Sequence, residues 1–529
     1  MAFGALAAAG VPVLLAFTGV MATLGLVAVA SRIAPVDAAV AEVVLLVGMA
    51  VGVDYALFYL RREREERAAG RSPQAALEAA AATSGRSVLV SGLTVMAAMA
   101  GMYLTGHPTF SSFATGTIMV VAVAVIGSLT VLPAMLSALG DRVMKGRLPL
   151  IGRRRGSGGG IWSAILDRVL RRPAVSALLS AALLVALAVP ALSLHTADPG
   201  VDGLPAGLEI SDTLKRMDRA FPGGDTPATV VVQAADVGSP EVDEGIRALM
   251  RDALASGQVR RPMTVDVNDG RTAAVVSLPL AGAGTDSVSN RALETLREHL
   301  IPSTVGAVEG VEADVTGMTA ESKDFNDLMK SRAPLVFVFV MALAFLLLMV
   351  TFRSIVIPLK AIVLNLLSVA ASYGVLVLVF QHGVGESLLG FESTGAITPW
   401  LPMFLFVILF GLSMDYHVFI LSRIREAYDS GMSTDAAVAF GIRSTAGVVT
   451  SAAVVMVGVF AIFATLTALE FKQMGVGLAV AILIDATIVR GVLLPASMKL
   501  LGDWNWYFPK TLRRLPTVRR QPRVEATQV

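Results

Sequence analysis

The chain of 529 residues is 55% apolar and 16% charged, with a mean hydropathy of +0.69, a balance that a water-soluble core does not require and a polytopic membrane protein does. It has no cysteine, which excludes disulfides, thiolate metal sites and Cys nucleophiles. The net charge of +2 conceals a division: positions 196–332 carry 13 Lys/Arg against 22 Asp/Glu, net −9, whereas the rest carries 30 against 19, net +11.

A bilayer-spanning helix takes about 20 mainly apolar residues. Ten segments meet that length: 4–30, 38–60, 87–106, 112–139, 173–194, 334–351, 356–380, 398–421, 446–468 and 473–501. Lys and Arg collect on cytoplasmic loops, so the basic stretches 61–71, 141–172 and 508–523 are expected inside and the acidic insert outside. An even number of spans then puts both termini in the cytoplasm. The Arg runs sit directly beside apolar segments, which argues against a nucleic-acid surface.

The expected organisation is a partial first transmembrane repeat of four spans (1–140), a cytoplasmic basic and Gly-rich linker (141–172), the first span of a second repeat (173–195), an extracytoplasmic α/β domain (196–333), a five-span bundle (334–502) and a cytoplasmic basic tail (503–529). GRRRGSGGG at 152–160 has the composition of a flexible connector. In the acidic insert, SDTLKRMDRAF, SPEVDEGIRALMRDAL and SVSNRALETLREHL read as helices, the second with Ser239 as N-cap and Pro240 in its first turn. TVVVQA, MTVDV, AAVVSLPL and 311–316 read as strands, giving the βαββαβ order of a ferredoxin-like unit.

Two spans repeat each other. GVDYALFYLRRERE (52–65) and SMDYHVFILSRIRE (413–426) align at a constant offset of 361, so that Asp54, Tyr55, Phe58, Leu60, Arg62 and Gly70 match Asp415, Tyr416, Phe419, Leu421, Arg423 and Gly431. Each copy places an Asp in hydrocarbon-like sequence, where an ionisable side chain costs about 2.5–3.5 kcal/mol on insertion scales. Neighbours in one helix project about 100° apart, so Asp54 is expected to pair with Tyr416 and Asp415 with Tyr55, each across the two copies. A carboxyl group so placed can load and release a proton as water access alternates. The competing role is structural: two polar groups tying helices together.

Other polar positions carry weaker signals. Asp485, with Arg490 five residues on, reads first as a structural ion pair and second as part of a relay. His417 reads first as a packing or lipid-edge residue and second as an aid to a proton path, and Lys360 as a side chain snorkelling at the inner face. Trp504, Trp506 and Tyr507 read as an interfacial aromatic belt. No Gly-Lys dipeptide occurs, so the phosphate loop G-x-x-x-x-G-K-[ST] is absent, as are HExxH and G-x-S-x-G motifs. No enzyme, cofactor or metal is expected, and an ion gradient is the energy source that remains.

The segments FGLSMDYHVFILSRIREAYDSG, FKQMGVGLAVAILIDATIVRGVLLPASMKLLGDWNWYFP and GVDYALFYLRREREERAAGRS resemble the MMPL (mycobacterial membrane protein large) family of the resistance-nodulation-division (RND) superfamily, along nearly the whole chain. The resemblance implies a polytopic α-helical bundle with RND-type pseudo-two-fold repeat, located in the inner (cytoplasmic) membrane. It also implies proton-motive-force-driven export of lipids or other hydrophobic compounds, with Asp54, Tyr55, Asp415 and Tyr416 as proton relay. Membrane lipids, a lipid-like substrate and protons are the implied partners. Family members carry two copies of one helix, an outer domain and five helices. Here the second copy (161–502) has all of these parts and the first shows its last four spans, so the chain reads as N-terminally truncated: either the start is assigned too late, or the gene is split, with an upstream-encoded half-repeat or a homo-oligomer as partner, or the chain is a degenerate remnant. The alternative reading is a non-transporting membrane scaffold or sterol-sensing-like binding module.

Overall fold

The computed structural model describes residues 6–139, 161–203, 209–220, 227–282, 284–509 and 511. The connector expected at 152–160, and the tail beyond Thr511, lie outside the described residues.

Among the described residues ten helices are long and apolar enough to cross a membrane, and each coincides with a segment anticipated from hydropathy. They are span 1 (Gly10–Ala30), span 2 (Val40–Ala68), span 3 (Pro73–Thr105), span 4 (Pro108–Leu139), span 5 (Pro173–Ser193), span 6 (Met318–Phe352), span 7 (Val356–Gln381), span 8 (Leu401–Asp429), span 9 (Thr434–Phe463) and span 10 (Leu469–Trp506). The repeat extends beyond the motif. Spans 2, 3 and 4 begin at Val40, Pro73 and Pro108, and spans 8, 9 and 10 each begin 361 residues later.

Local chemistry explains why the boundaries repeat. Gly70 and Gly431 follow spans 2 and 8 with φ of +90° and +97°, the left-handed position that ends a helix most cheaply with glycine. Ser72 and Ser433 then stand in extended backbone and accept from the Ala75 and Ala436 amides at 3.3 and 3.4 Å, so each caps the next span. At the opposite ends, the Asp37 amide donates to Ser112 Oγ at 3.2 Å and the Thr398 amide to Gln473 Oε1 at 2.9 Å, again at matching positions.

Spans 2 and 8 are the axis of the bundle, with 83% and 89% of their apolar windows buried against 6% for span 5 and 22% for span 1. One apolar core runs from Val20 through both halves to Met498. The helices approach closely where side chains are smallest: a Cβ on Gly52 would lie 2.9 Å from Ala16 Cβ, and one on Gly441 would lie 3.0 Å from the Ile424 amide nitrogen. Phe58 of span 2 meets Tyr416 and Phe419 of span 8 at ring-centroid distances of 5.9 and 5.2 Å, which joins the halves at the level of the repeated motif.

Between spans 5 and 6 a four-stranded antiparallel sheet forms from β1 (Ala228–Gln233), β2 (Thr264–Val267), β3 (Ala273–Leu278) and β4 (Glu312–Thr316), in the order β2-β3-β1-β4. This is the βαββαβ arrangement expected from the pattern. Alternate residues Val230, Val232, Ala274, Val276 and Leu278 are buried against Ile246 and Leu249 of helix Pro240–Ala255 and against Leu293 and Leu296, forming a second core separate from that of the bundle. Ser239 caps its helix as anticipated, accepting from the Val242 amide at 3.4 Å.

Two minor expectations are corrected. Lys360 does not snorkel: it is 9% exposed and donates to Asn505 Oδ1 at 2.9 Å, held by the loop that closes span 10. Of the aromatic group after span 10, Trp504 and Tyr507 are exposed, whereas Trp506 stacks on Tyr428 at 4.8 Å.

Candidate functional site

Span 2 carries Asp54 and Tyr55 to the middle of the bundle and span 8 carries Asp415 and Tyr416; all four are buried, the carboxylates at 4% and 8% exposure. Tyr55 donates across the halves to Asp415 Oδ2 at 3.5 Å, a long contact, and its hydroxyl in turn accepts from Ser91 of span 3 at 3.1 Å. The reciprocal pair differs. Asp54 and Tyr416 are within side-chain interaction range, but the resolved hydrogen bond of the Tyr416 hydroxyl goes to Met456 Sδ of span 9 at 2.9 Å. Asp54 Oδ1 and Asp415 Oδ1 are buried with no hydrogen-bond partner among the described residues. Such groups are costly to leave unsatisfied in a purely structural role.

Arg490 lies beside this quartet. Its guanidinium carbon sits 4.5 Å from the centre of the Tyr416 ring, and its charge acts on both Asp54 and Asp415. It also forms a buried ion pair with Asp485, at 3% and 5% side-chain exposure. Asp485 and Arg490 are five residues apart, which in an α-helix would leave them on different faces. The helix is wound with i→i+5 hydrogen bonds over Asp485–Leu493, and that winding brings them to one side. The structure thus assembles the two residues that the sequence paired, by a local geometry that spacing alone does not reveal.

Ser413 ties the pair to the motif. Its Oγ lies 2.9 Å from Asp485 Oδ2 and 2.5 Å from Asn365 Oδ1, and Arg490 donates to the Ser413 carbonyl at 3.0 Å. One hydroxyl proton can serve only one of those two acceptors. His417, one turn further on, is fully buried, with Nδ1 3.2 Å from the Ser413 carbonyl and Nε2 unpartnered among the described residues. Of its two expected settings, packing and lipid edge, only the first describes it. Ser91, Asn365, Ser413 and Met456 were not singled out from the sequence. Asn365, a lone amide in the apolar run of span 7, was the one with a legible signal.

The site holds three carboxyl groups and one guanidinium. Among the described residues no three His, Asp or Glu side chains are grouped so as to hold a metal ion.

Comparison with known proteins gives consistent results. The model of the MMPL family matches residues 1–176 and 202–527. The mycolic acid-containing lipids exporter MmpL11 of Mycolicibacterium smegmatis is 39% identical over 540 residues, covering 100% of this chain and 56% of that protein. The heme uptake protein MmpL11 of Mycobacterium tuberculosis H37Rv is 38% identical, covering 100% of this chain and 55% of that one. The chain therefore spans about half the length of these relatives. Among solved structures, the translocon-associated membrane protein SecDF of Thermus thermophilus aligns over 92% of this chain and 58% of its own, with a TM-score of 0.55 and 16% identity, a likeness of fold.

Proposed function

The chain belongs to the MMPL family, and from that premise we propose that this multi-pass membrane protein exports a lipid-like, hydrophobic cargo across the cytoplasmic membrane in exchange for protons entering through Asp54, Tyr55, Asp415 and Tyr416. The observation that carries the reading is the placement of two buried carboxyl groups at corresponding positions of a repeated motif, each with an oxygen unpartnered among the described residues and each near the phenol of the other half.

Charge balance supports it. With Arg490 charged, three carboxyl groups share one compensating cation, so the site is neutral with two protons aboard and gains negative charge as each leaves. Protonation therefore changes the electrostatics between the two halves where they touch. A change of that kind biases their relative position, as alternating access requires. The Ser91 hydroxyl, Tyr55 and Asp415 form a short hydrogen-bonded chain along which a proton can pass. Arg490 acts in this scheme as the fixed cation, with Asp485 as its permanent partner. The lipid-like cargo rests on the printed name of the Mycolicibacterium relative, and the placement of the termini and of the linker in the cytoplasm rests on the distribution of Lys and Arg.

The test is reconstitution of the purified chain in liposomes loaded with a pH-sensitive dye, with a fluorescent glycolipid as cargo. Cargo movement that rises with an imposed pH gradient and stops when an ionophore collapses it is the expected result. Movement indifferent to the gradient overturns the coupling. For orientation, Glu244→Cys in the outer unit should react with a membrane-impermeant maleimide on intact cells and Ser430→Cys, after span 8, only in inverted vesicles. The reverse pattern inverts the topology.

A further inference from the structure

The beginnings of spans 2, 4, 6, 8 and 10 converge with the chain at 198–203, ahead of the outer sheet, around a cavity of about 1130 Å³. It lies over the seam between the two halves, since its walls come from matching stretches, 37–42 with 398–400 and 107–113 with 468–471. It is at the opposite end of the spans from the Arg pairs that follow Asp54 and Asp415. Nothing in the proton scheme uses it, and a path for protons alone needs no more than a file of waters.

Its lining is one-signed. Among the described residues six carboxylates face it and no Lys or Arg does. Asp324 is held by Arg297 at 2.6 and 2.8 Å, whereas Asp37, Glu42, Asp198, Glu321 and Glu470 have no ion-pair partner among the described residues. His107, between spans 3 and 4, adds no compensating charge, because burial holds its ring below the usual histidine value and so neutral at neutral pH. Two buried acceptors are unspent among the described residues: Glu42 Oε2, and Oγ1 of Thr398, a residue only 6% exposed whose amide is already committed to Gln473. The remaining surface is aromatic and apolar, with Trp400, whose side chain interacts with Glu470, and Phe325, which meets the His107 ring edge-on at 4.9 Å.

Uncompensated carboxylates beside aromatic rings are the chemistry that recognises an organic cation, through charge attraction and the negative face of a ring. A metal ion is a poorer occupant, since the carboxylates are spread around the walls and do not group as ligands. The cavity, at about 1130 Å³, is slightly larger than the pockets of about 300–1,000 Å³ that take drug-sized molecules, so it has room for one. We propose that this outer cavity binds an amphipathic organic cation, an ammonium or phosphonium centre on an apolar body, with Glu42, Glu470 and Trp400 as its principal contacts. The assignment deepens the transporter reading by naming a ligand class, and rests on that reading only for the fate of the bound molecule.

Equilibrium dialysis tests it on the full chain in nanodiscs with no proton gradient, so that failure of proton coupling cannot imitate failure of binding. The probe is radiolabelled tetraphenylphosphonium, and its isosteric anion tetraphenylborate is the control. Saturable binding of the cation, no saturable binding of the anion, and an affinity loss of tenfold or more in Glu42→Gln/Glu470→Gln are expected, with Trp400→Leu weakening binding and Glu244→Gln, an exposed carboxylate of the outer unit, leaving it unchanged. Circular dichroism and gel filtration identify any variant that has lost its fold, and Glu42→Asp, which keeps the charge, should retain most of the affinity. Equal binding of cation and anion, no saturable binding of the cation, or cation binding indifferent to the Gln substitutions in folded protein overturns the proposal.

Discussion

The two halves of the bundle share their motif and their helix boundaries but differ in what surrounds the motif. Around Asp415 the second half places Ser413, His417, Asp485 and Arg490, all buried and joined by hydrogen bonds. At the positions 361 residues earlier, the first half has Gly52, Ala56, Ala124 and Leu129. One half is built around a buried polar network and the other around close helix contact, with Gly52 against Ala16. The difference teaches that a duplicated unit can keep a pair of titratable groups in register while giving the counter-charge to one side. Both carboxylates then depend on a single cation.

The largest effect expected from breaking the symmetry is functional. Asp54→Asn and Asp415→Asn keep size and much of the hydrogen bonding but cannot titrate, so each should abolish gradient-driven proton flux in proteoliposomes while inserting normally. Flux that survives both substitutions would reduce the quartet to helix glue. Next is Arg490→Met, which strands Asp485 without its cation and should cost about 3–5 kcal/mol in thermal unfolding, whereas Asp485→Leu/Arg490→Met should recover most of it. The same change at the matching position, Leu129→Met, should cost less than about 1.5 kcal/mol.

Exchanging residues between the halves gives a smaller and more pointed test. Gly52→Ser puts a Cβ where Ala16 Cβ is 2.9 Å away and should cost about 1–3 kcal/mol by overpacking. Ser413→Gly should cost a similar amount, about 1–3 kcal/mol, for the opposite reason, since Asp485 loses the hydroxyl that lies 2.9 Å from its Oδ2. Solvent-denaturation midpoints of the two variants decide whether the cost is steric on one side and polar on the other, because Ala16→Gly, which removes the Cβ that a side chain at position 52 would meet, relieves only the first. The smallest effect should be equal in both halves: Ser72→Ala and Ser433→Ala each remove one N-cap, about 1 kcal/mol apiece. Unequal losses there would mean that the caps carry different loads despite matching geometry.

Much of this fold was legible because hydropathy and repetition are long-range averages that single residues do not disturb. The ten spans follow from apolar runs, the sheet order follows from strand-length alternation between helical stretches, and the quartet follows from a repeated Asp-Tyr in apolar sequence. The unequal partners of the two tyrosines were not legible. Tyr55 meets Ser91 and Tyr416 meets Met456 because of how spans 3 and 9 rotate against their neighbours, and no spacing rule reports that rotation. The burial of Lys360 was missed for a related reason: its partner Asn505 lies 145 residues away.

The sequence by itself determined which segments enter the membrane, which side is basic, and which acids are duplicated, since each is set by local composition and by the cost of placing charge in hydrocarbon. Only the tertiary structure decided which side chains meet. The Asp485–Arg490 pair needs the i→i+5 winding of span 10, the influence of one guanidinium on three carboxyl groups needs spans 2, 8 and 10 in one bundle, and the acidic cavity needs five span ends and the chain ahead of the outer sheet brought together. Those arrangements follow from packing between distant elements, where a rotation of one helix by a fraction of a turn changes every partner it presents.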